Sequence, residues 1–357
     1  GFSFFYMGVN LGAFIGGYLC IAVAEGSLWK SIVPEHLRWN VGFGFAALVM
    51  VISLLTFTQT QKSLATIGLS PLPNLEASRR KLLENLTYLG SVLIIPIVII
   101  MVANTEYTDY FMYAIGPISI LYLFYEMRNF SIAENKKLLA ALVFILFSIV
   151  FWAFFEQSGG SLSLFAANNL NNTIAGVTLS PNGVNNSANS FFVITFAALV
   201  GLVWLWMAKK KIEPNTIIKF GLAFLFLAGG FWIFYYTQFF ADASGRTSLG
   251  VFAFGWFIIT FGELCLSPIG MSAMTKLSPQ KTQAVIMGMW FLASAYGQYF
   301  AGILGANIAK ASRNATNLEK LNTYTDGYYQ LAIYALIAGV VLIVISPLVK
   351  KLMQEVK

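Results

Sequence analysis

"LLAALVFILFSIVFWAFFEQSGGSLSLF", residues 138–165, holds a single charged side chain, Glu156. About 20 consecutive apolar residues cross the hydrocarbon core of a bilayer, so this stretch reads as a membrane-spanning helix. A carboxylate at mid-membrane costs on the order of 3 kcal/mol on insertion scales. Such a group is kept where it lines a water-filled cavity, pairs with a cation or carries a proton.

The rest of the chain has the same character. The 357 residues are 58% hydrophobic and 10% charged, with a mean hydropathy of +0.72. That is too little charge to cover a soluble fold of this length, and the class is an all-α, polytopic membrane protein in contact with the lipid bilayer. Ten apolar segments emerge, at 2–24, 40–59, 83–103, 110–127, 138–166, 188–208, 216–238, 248–275, 284–309 and 328–349. Pro96 and Pro117 interrupt the third and fourth. The chain opens inside an apolar segment without Met, so it reads as a fragment of a longer protein. Cys20 and Cys265 lie in distant apolar segments and read as packing residues. With one histidine, His36, in a polar loop, and no CxxC pair, no zinc, haem or other cofactor is expected.

Basic residues orient the spans. Lys30, Arg38, Arg246, Lys310, Arg313 and Lys320 fall on one side of a ten-helix alternation, and all other Lys and Arg on the opposite side. The positive-inside rule then places the even-numbered spans' ends and the C-terminus in the cytoplasm. The net charge of +7 is therefore a topology signal, and no nucleic-acid partner is expected. No cation lies deep within a span, and only Glu156 and Glu263 are deep acids.

Burial favours the neutral form of a carboxylate and a cationic neighbour the charged one, so a site alternating between them takes up and releases a proton. The bland alternative is a permanently protonated Glu bonded to a neighbouring helix. Small and polar residues accompany both acids. In the fifth span Trp152, Glu156, Gly159 and Ser163 are spaced to share a face; in the eighth, Glu263, Ser267 and Gly270 do so, with Pro268 expected to break the ladder. Trp290, Ser294 and Gly297 form a similar face in the ninth. Gly8, Gly12 and Gly16 suggest a close-packing seam in the first, with Tyr6 and Asn10 on a neighbouring face. Asn10 reads equally as interhelical glue or as a ligand contact.

"GFSFFYMGVNLGAF" (1–14), "FWAFFEQ" (151–157) and "FGELCLSPIGMSAMTKLSP…VIMGMWFLASAYGQYFAG" (261–302) resemble the proton-coupled oligopeptide transporter family of the major facilitator superfamily. The resemblance runs through most of the chain. It implies a helix bundle in which residues 1–60 are core helices five and six. Residues 61–137 would be a linker with an inserted transmembrane hairpin at about 83–127, and residues 138–357 the C-terminal six-helix bundle. The first four core helices, which carry basic cavity residues in the family, would precede Gly1.

The resemblance also implies roles. Tyr6, Asn10, Trp152, Asn189, Glu263 and Trp290 would contact substrate. Glu263 would receive a peptide's amino terminus, and Glu156 and Glu263 would couple transport to protons. Asn189 is followed by Ser190 where the family often has proline, and the glycines of "EQSGGS" are spaced more loosely than usual. The expected activity is proton symport of di- and tripeptides by alternating access, with protons as the coupling ion, in a monomer of the bacterial inner membrane. Nitrate, a drug or a peptide-like metabolite is the alternative cargo. An intramembrane enzyme using the two carboxylates is disfavoured because no nucleophile elbow, paired-acid cluster or histidine ligand is present.

Overall fold

The computed structural model describes residues 2–65, 75–310 and 315–356, with side chains from Met7 onward. The helices are α1 (Phe2–Ala24), α2 (Arg38–Thr60), α3 (Ala77–Ala103), α4 (Thr105–Met127), α5 (Ile132–Phe155) and α6 (Ser161–Asn169). They continue with α7 (Pro181–Lys209), α8 (Thr216–Tyr236), α9 (Leu249–Leu277), α10 (Gln283–Ile308) and α11 (Asn317–Leu352). A small hairpin, β1 (Thr173–Ile174) with β2 (Val177–Thr178), follows α6. Each of the ten expected spans is helical. Eight segments are long and apolar enough to cross a membrane among the described residues; α4 and α10 are not among them.

The helix starts are written in the sequence. In lipid the first N–H groups of a helix need a partner from the protein, and a capping side chain supplies one. Ser131 with Glu134 and Thr316 with Glu319 form capping boxes for α5 and α11. Ser180, Asn215 and Ser248 cap α7, α8 and α9.

Two expectations are corrected. The segment 138–166 is not one helix: α5 stops at Phe155, a 3-10 turn runs over Glu156–Gly159, and α6 restarts at Ser161. The Trp152–Glu156–Gly159–Ser163 face is therefore interrupted. Conversely, α9 runs unbroken through Pro268. A proline interrupts one ladder bond, which its own helix absorbs, whereas the adjacent glycines Gly159 and Gly160 let the chain leave helical geometry, with Gly160 at φ −119°, ψ −113°.

The chain divides into two compact units, residues 1–46 with 129–357, and residues 47–128. The smaller contains most of α2 and the pair α3 and α4. These are joined at Asn104, whose side chain accepts from Glu106 N–H at 3.0 Å. Most of their large apolar side chains face outward, as lipid-facing residues do.

In the larger unit α8 packs between α9 and α11. Gly221 and Gly339 bring α8 and α11 into backbone contact: a Cβ on Gly339 would lie 3.0 Å from the Gly221 carbonyl. Phe144, Phe151, Phe220, Phe224, Phe231 and Trp256 fill the interior. α1 lies antiparallel on α7, with Met7 packed among Val193, Ala197 and Leu264, Phe14 5.9 Å from Phe191, and Gly17 beside Ser187. The expected seam of Gly8, Gly12 and Gly16 meets nothing within 4 Å. α1 packs through the face of Met7, Phe14 and Gly17 instead.

Side-chain ties identify the two ends of this unit. At one, Lys137 pairs with Glu355, and Asn215 donates to Ser346 at 3.1 Å. At the other, Ser180 donates to Glu25 at 2.6 Å, and Asn169 donates to the carbonyls of Gly245 (2.8 Å) and Asn317 (2.7 Å).

Candidate functional site

Glu263 sits midway along α9 and is 4% exposed. The Asn189 amide of α7 donates to its Oε2 at 2.7 Å and also approaches Thr260 Oγ1 at 3.2 Å. Thr260 in turn donates to the Trp256 carbonyl at 2.8 Å, which fixes its hydroxyl as the acceptor for Asn189. One turn separates Thr260 from Glu263, so a single helix face presents both groups to Asn189. Thr260 was not anticipated from the sequence; its place three residues before the acid was the available signal.

Asn10 of α1 is 7% exposed and joins the same level of the bundle. It lies one turn from Met7, which packs on Leu264 and Val193, the neighbours in sequence and along the helix of Glu263 and Asn189. Three expected residues are thereby gathered from three helices. The side chain of Tyr6 lies outside the described residues.

Glu156 terminates α5, half-buried, and its carboxylate accepts a hydrogen bond from Gln298 of α10. The break that exposes it is held by a residue the sequence reading passed over. Gln157 is fully buried; its amide donates to the Ala153 carbonyl (3.2 Å) and to the Ala301 carbonyl of α10 (3.1 Å), and its Oε1 accepts from Ser161 (2.8 Å). It replaces backbone partners lost at the break and ties both half-helices to α10. Gly160 and Gly305 allow that approach, since a Cβ on Gly305 would sit 3.2 Å from Gln157 Oε1. Only the "QSGG" pattern, a polar residue beside two glycines, hinted at this.

The two acids are linked through aromatic packing. Phe155, next to Glu156, meets Trp256 edge-on at 5.9 Å, two turns before Glu263. Trp152 packs against Gly297, where an added Cβ would overlap it. Ser163 turns the other way and donates to Asn182 of α7 at 3.2 Å. Trp290 is 4% exposed, its ring seated on Gly270 and 6.2 Å from Phe220. Gly270 lies seven residues beyond Glu263, about 10 Å along the same helix face. The indole N–H groups of Trp152 and Trp256 and the hydroxyl of Ser267 are buried without a hydrogen-bond partner. Polar atoms thus line this region in excess of their protein partners. Among the described residues no group of three His, Cys, Asp or Glu is placed to hold a metal ion.

Comparison with known proteins follows the same lines. A family model described as "POT family" matches residues 1–325. "Peptide transporter YePEPT" of Yersinia enterocolitica subsp. palearctica serotype O:3 (strain YE-P4) is 30% identical over 375 residues, covering 99% of this chain and 69% of that protein. "Di-/tripeptide transporter" of Lactococcus lactis subsp. lactis (strain IL1403) is 27% identical over 374 residues, covering 100% of this chain and 70% of that protein. A crystal structure of peptide transporter POT in complex with sulfate superposes with a TM-score of 0.75 at 28% identity, covering 99% of this chain and 68% of the other.

Proposed function

The chain belongs to the POT family of membrane transporters, and on that premise we propose that it carries di- and tripeptides across the membrane by alternating access, coupled to protons. The observation that carries the reading is the buried Asn189–Glu263 pair, with Asn10 at the same level. A peptide's ammonium is the constant part of a varied substrate, and a desolvated carboxylate holds it by a charge-assisted bond whatever the side chains are. Asn10 and Asn189 orient the terminus. Nitrate, an anion, is disfavoured by the same carboxylate.

Glu156 supplies the second half of the mechanism. It stands at a break in a helix, bonded to Gln298 across to α10, where a small displacement changes its neighbours. In one conformation the carboxyl takes a proton; when the bundle rearranges it gives it up to the other side. Trp152 and Trp290 shape the pocket for side chains. The protein works as a monomeric, multi-pass component of the bacterial inner membrane, with its C-terminus in the cytoplasm and no cofactor or chemical step. Residues 1–60 close an N-terminal bundle, 61–137 carry the inserted hairpin, and 138–357 form the C-terminal bundle.

Uptake into liposomes by the full chain tests this. A dipeptide should accumulate when the exterior is acidic and stop when the gradient is collapsed with an ionophore, while its N-acetylated form should neither accumulate nor compete. Equal uptake of both forms, or uptake indifferent to the gradient, overturns the reading.

A further inference from the structure

A separate cavity of about 660 Å³ opens where the end of α7, the start of α8, the second half of α9 and the end of α11 converge. Its walls are amphipathic. Val200 and Leu264 lie on the inner side, and Trp204, Lys219, Lys276 and Lys350 also line it. Lys219 is 7% exposed, pairs with Glu213 and holds its ammonium 4.7 Å above the Trp204 ring. Glu213, the one acid of the lining, is thereby engaged. Lys276 and Lys350 are exposed and enter no ion pair among the described residues. The Trp204 indole N–H is buried without a hydrogen-bond partner.

The position is equally specific. On α7, Leu202, Leu205 and Trp206 are exposed, and Lys210 lies 4.5 Å over the Trp206 ring. Aromatic rings with basic residues just beyond an apolar helix mark the membrane–water interface. The cavity therefore combines uncompensated cations with an apolar wall at headgroup depth. We propose that it binds an anionic phospholipid, the phosphate held by Lys276, Lys350 and the Trp204 N–H, and an acyl chain on the apolar wall. The shared chemistry is a phosphate oxygen. The wall of Val200 and Leu264 selects a lipid over free phosphate, which has nothing to place there. Basic pockets between helices at this depth take such headgroups. Only the choice of leaflet rests on the orientation proposed above.

The test uses the full chain in nanodiscs, where both leaflets are present. Quenching by dibrominated phosphatidylglycerol and by dibrominated phosphatidylcholine is compared, with the Trp204→Phe variant subtracted to isolate that ring. Phosphatidylglycerol should quench at lower mole fraction. Each of Lys276→Gln and Lys350→Gln should weaken that preference, on the order of fivefold per lysine. Equal quenching by the two lipids, or a preference unchanged in the double variant, overturns the proposal. Displacement by millimolar inorganic phosphate, with choline lipid quenching as well as before, would identify a free-anion site and overturn the lipid assignment. Peptide uptake is measured on the same variants reconstituted in liposomes: loss of transport with the lipid preference intact counts against the transport reading alone.

Discussion

Asn189 and Glu263 meet at 2.7 Å in a buried setting, and this pair separates two roles for carboxylates in the bundle. Glu263→Gln retains a hydrogen-bonding side chain but loses its charge, so peptide affinity should fall roughly tenfold or more, in both uptake and counterflow exchange, from about 1.5–3 kcal/mol of charge-assisted bonding. Glu156→Gln should abolish accumulation against a gradient while sparing much of the exchange, which needs no net proton movement. Paired uptake and exchange in liposomes decide this; a Glu156→Gln protein that still concentrates peptide would show the acid to be structural. Trp290 offers a second test, because its ring rests on Gly270. Trp290→Ala should shift preference toward peptides with larger side chains. Gly270→Ala should displace the indole at a cost of about 1–3 kcal/mol of overpacking, relieved by adding Trp290→Phe. Competition by small and large dipeptides reads out the first, thermal unfolding of the single and double variants the second. The acids were legible in the sequence because a charge within an apolar run is conspicuous. Thr260 and Gln157 were not, since a lone polar side chain shows its use only once its partners on other helices are known.

The interruption between α5 and α6 shows where reading by pattern fails. The long apolar run masks the stop, whose one sign is the polar "QSGG" within it. Proline at 268 suggested a break in α9, yet Gly159 and Gly160 made one in the other helix. Gln157 holds that turn through bonds to Ala153 and Ala301, so Gln157→Ala should destabilise the protein by about 1–3 kcal/mol, the cost of leaving buried carbonyls unpaired. Gln157→Glu should be worse. Unfolding midpoints in detergent check both. The loop before α9 gives a pH-dependent case. Asp242 accepts from the Ser244 hydroxyl at 2.6 Å, the Ser244 N–H at 2.8 Å and the Arg246 N–H at 3.0 Å. The bond from the Ser244 side chain, followed by that from the Arg246 backbone, holds its carboxyl below the usual aspartate range. The folded value lies below the unfolded one, so the stabilisation is complete above about pH 4 and fades as pH falls through the folded value. The stability difference between the wild type and Asp242→Ala should be constant from pH 8 to pH 5 and shrink below about pH 4, as measured by thermal unfolding across that range.

At the scale of the molecule, α1 lies along α7 in the larger unit, and Ser180 reaches Glu25 beyond that seam. In the proposed cycle this seam parts. With Cys20 and Cys265 replaced, a Gly17→Cys/Ser187→Cys pair should form a disulfide that stops peptide uptake, and reduction should restore it. Uptake that continues in the cross-linked protein would show the seam to be static. That each of the ten apolar segments is helical was legible from their length and composition. The packing partners of α1 were not, because glycine spacing alone does not say which face a neighbour will occupy. The break beside Glu156 also bears on the membrane's electrical field. α5 ends at that carboxyl with its negative dipole end, and α6 begins just beyond with its positive one, each equivalent to about half an elementary charge. A full crossing of the membrane is worth about 2.3 kcal/mol per unit charge for each 100 mV. In the proposed cycle a proton that pauses on Glu156 has taken part of that drop on arrival and takes the remainder on leaving. Voltage therefore acts on the same carboxyl as acidity, and an inside-negative potential pulls protons through the site even where the two compartments share one pH.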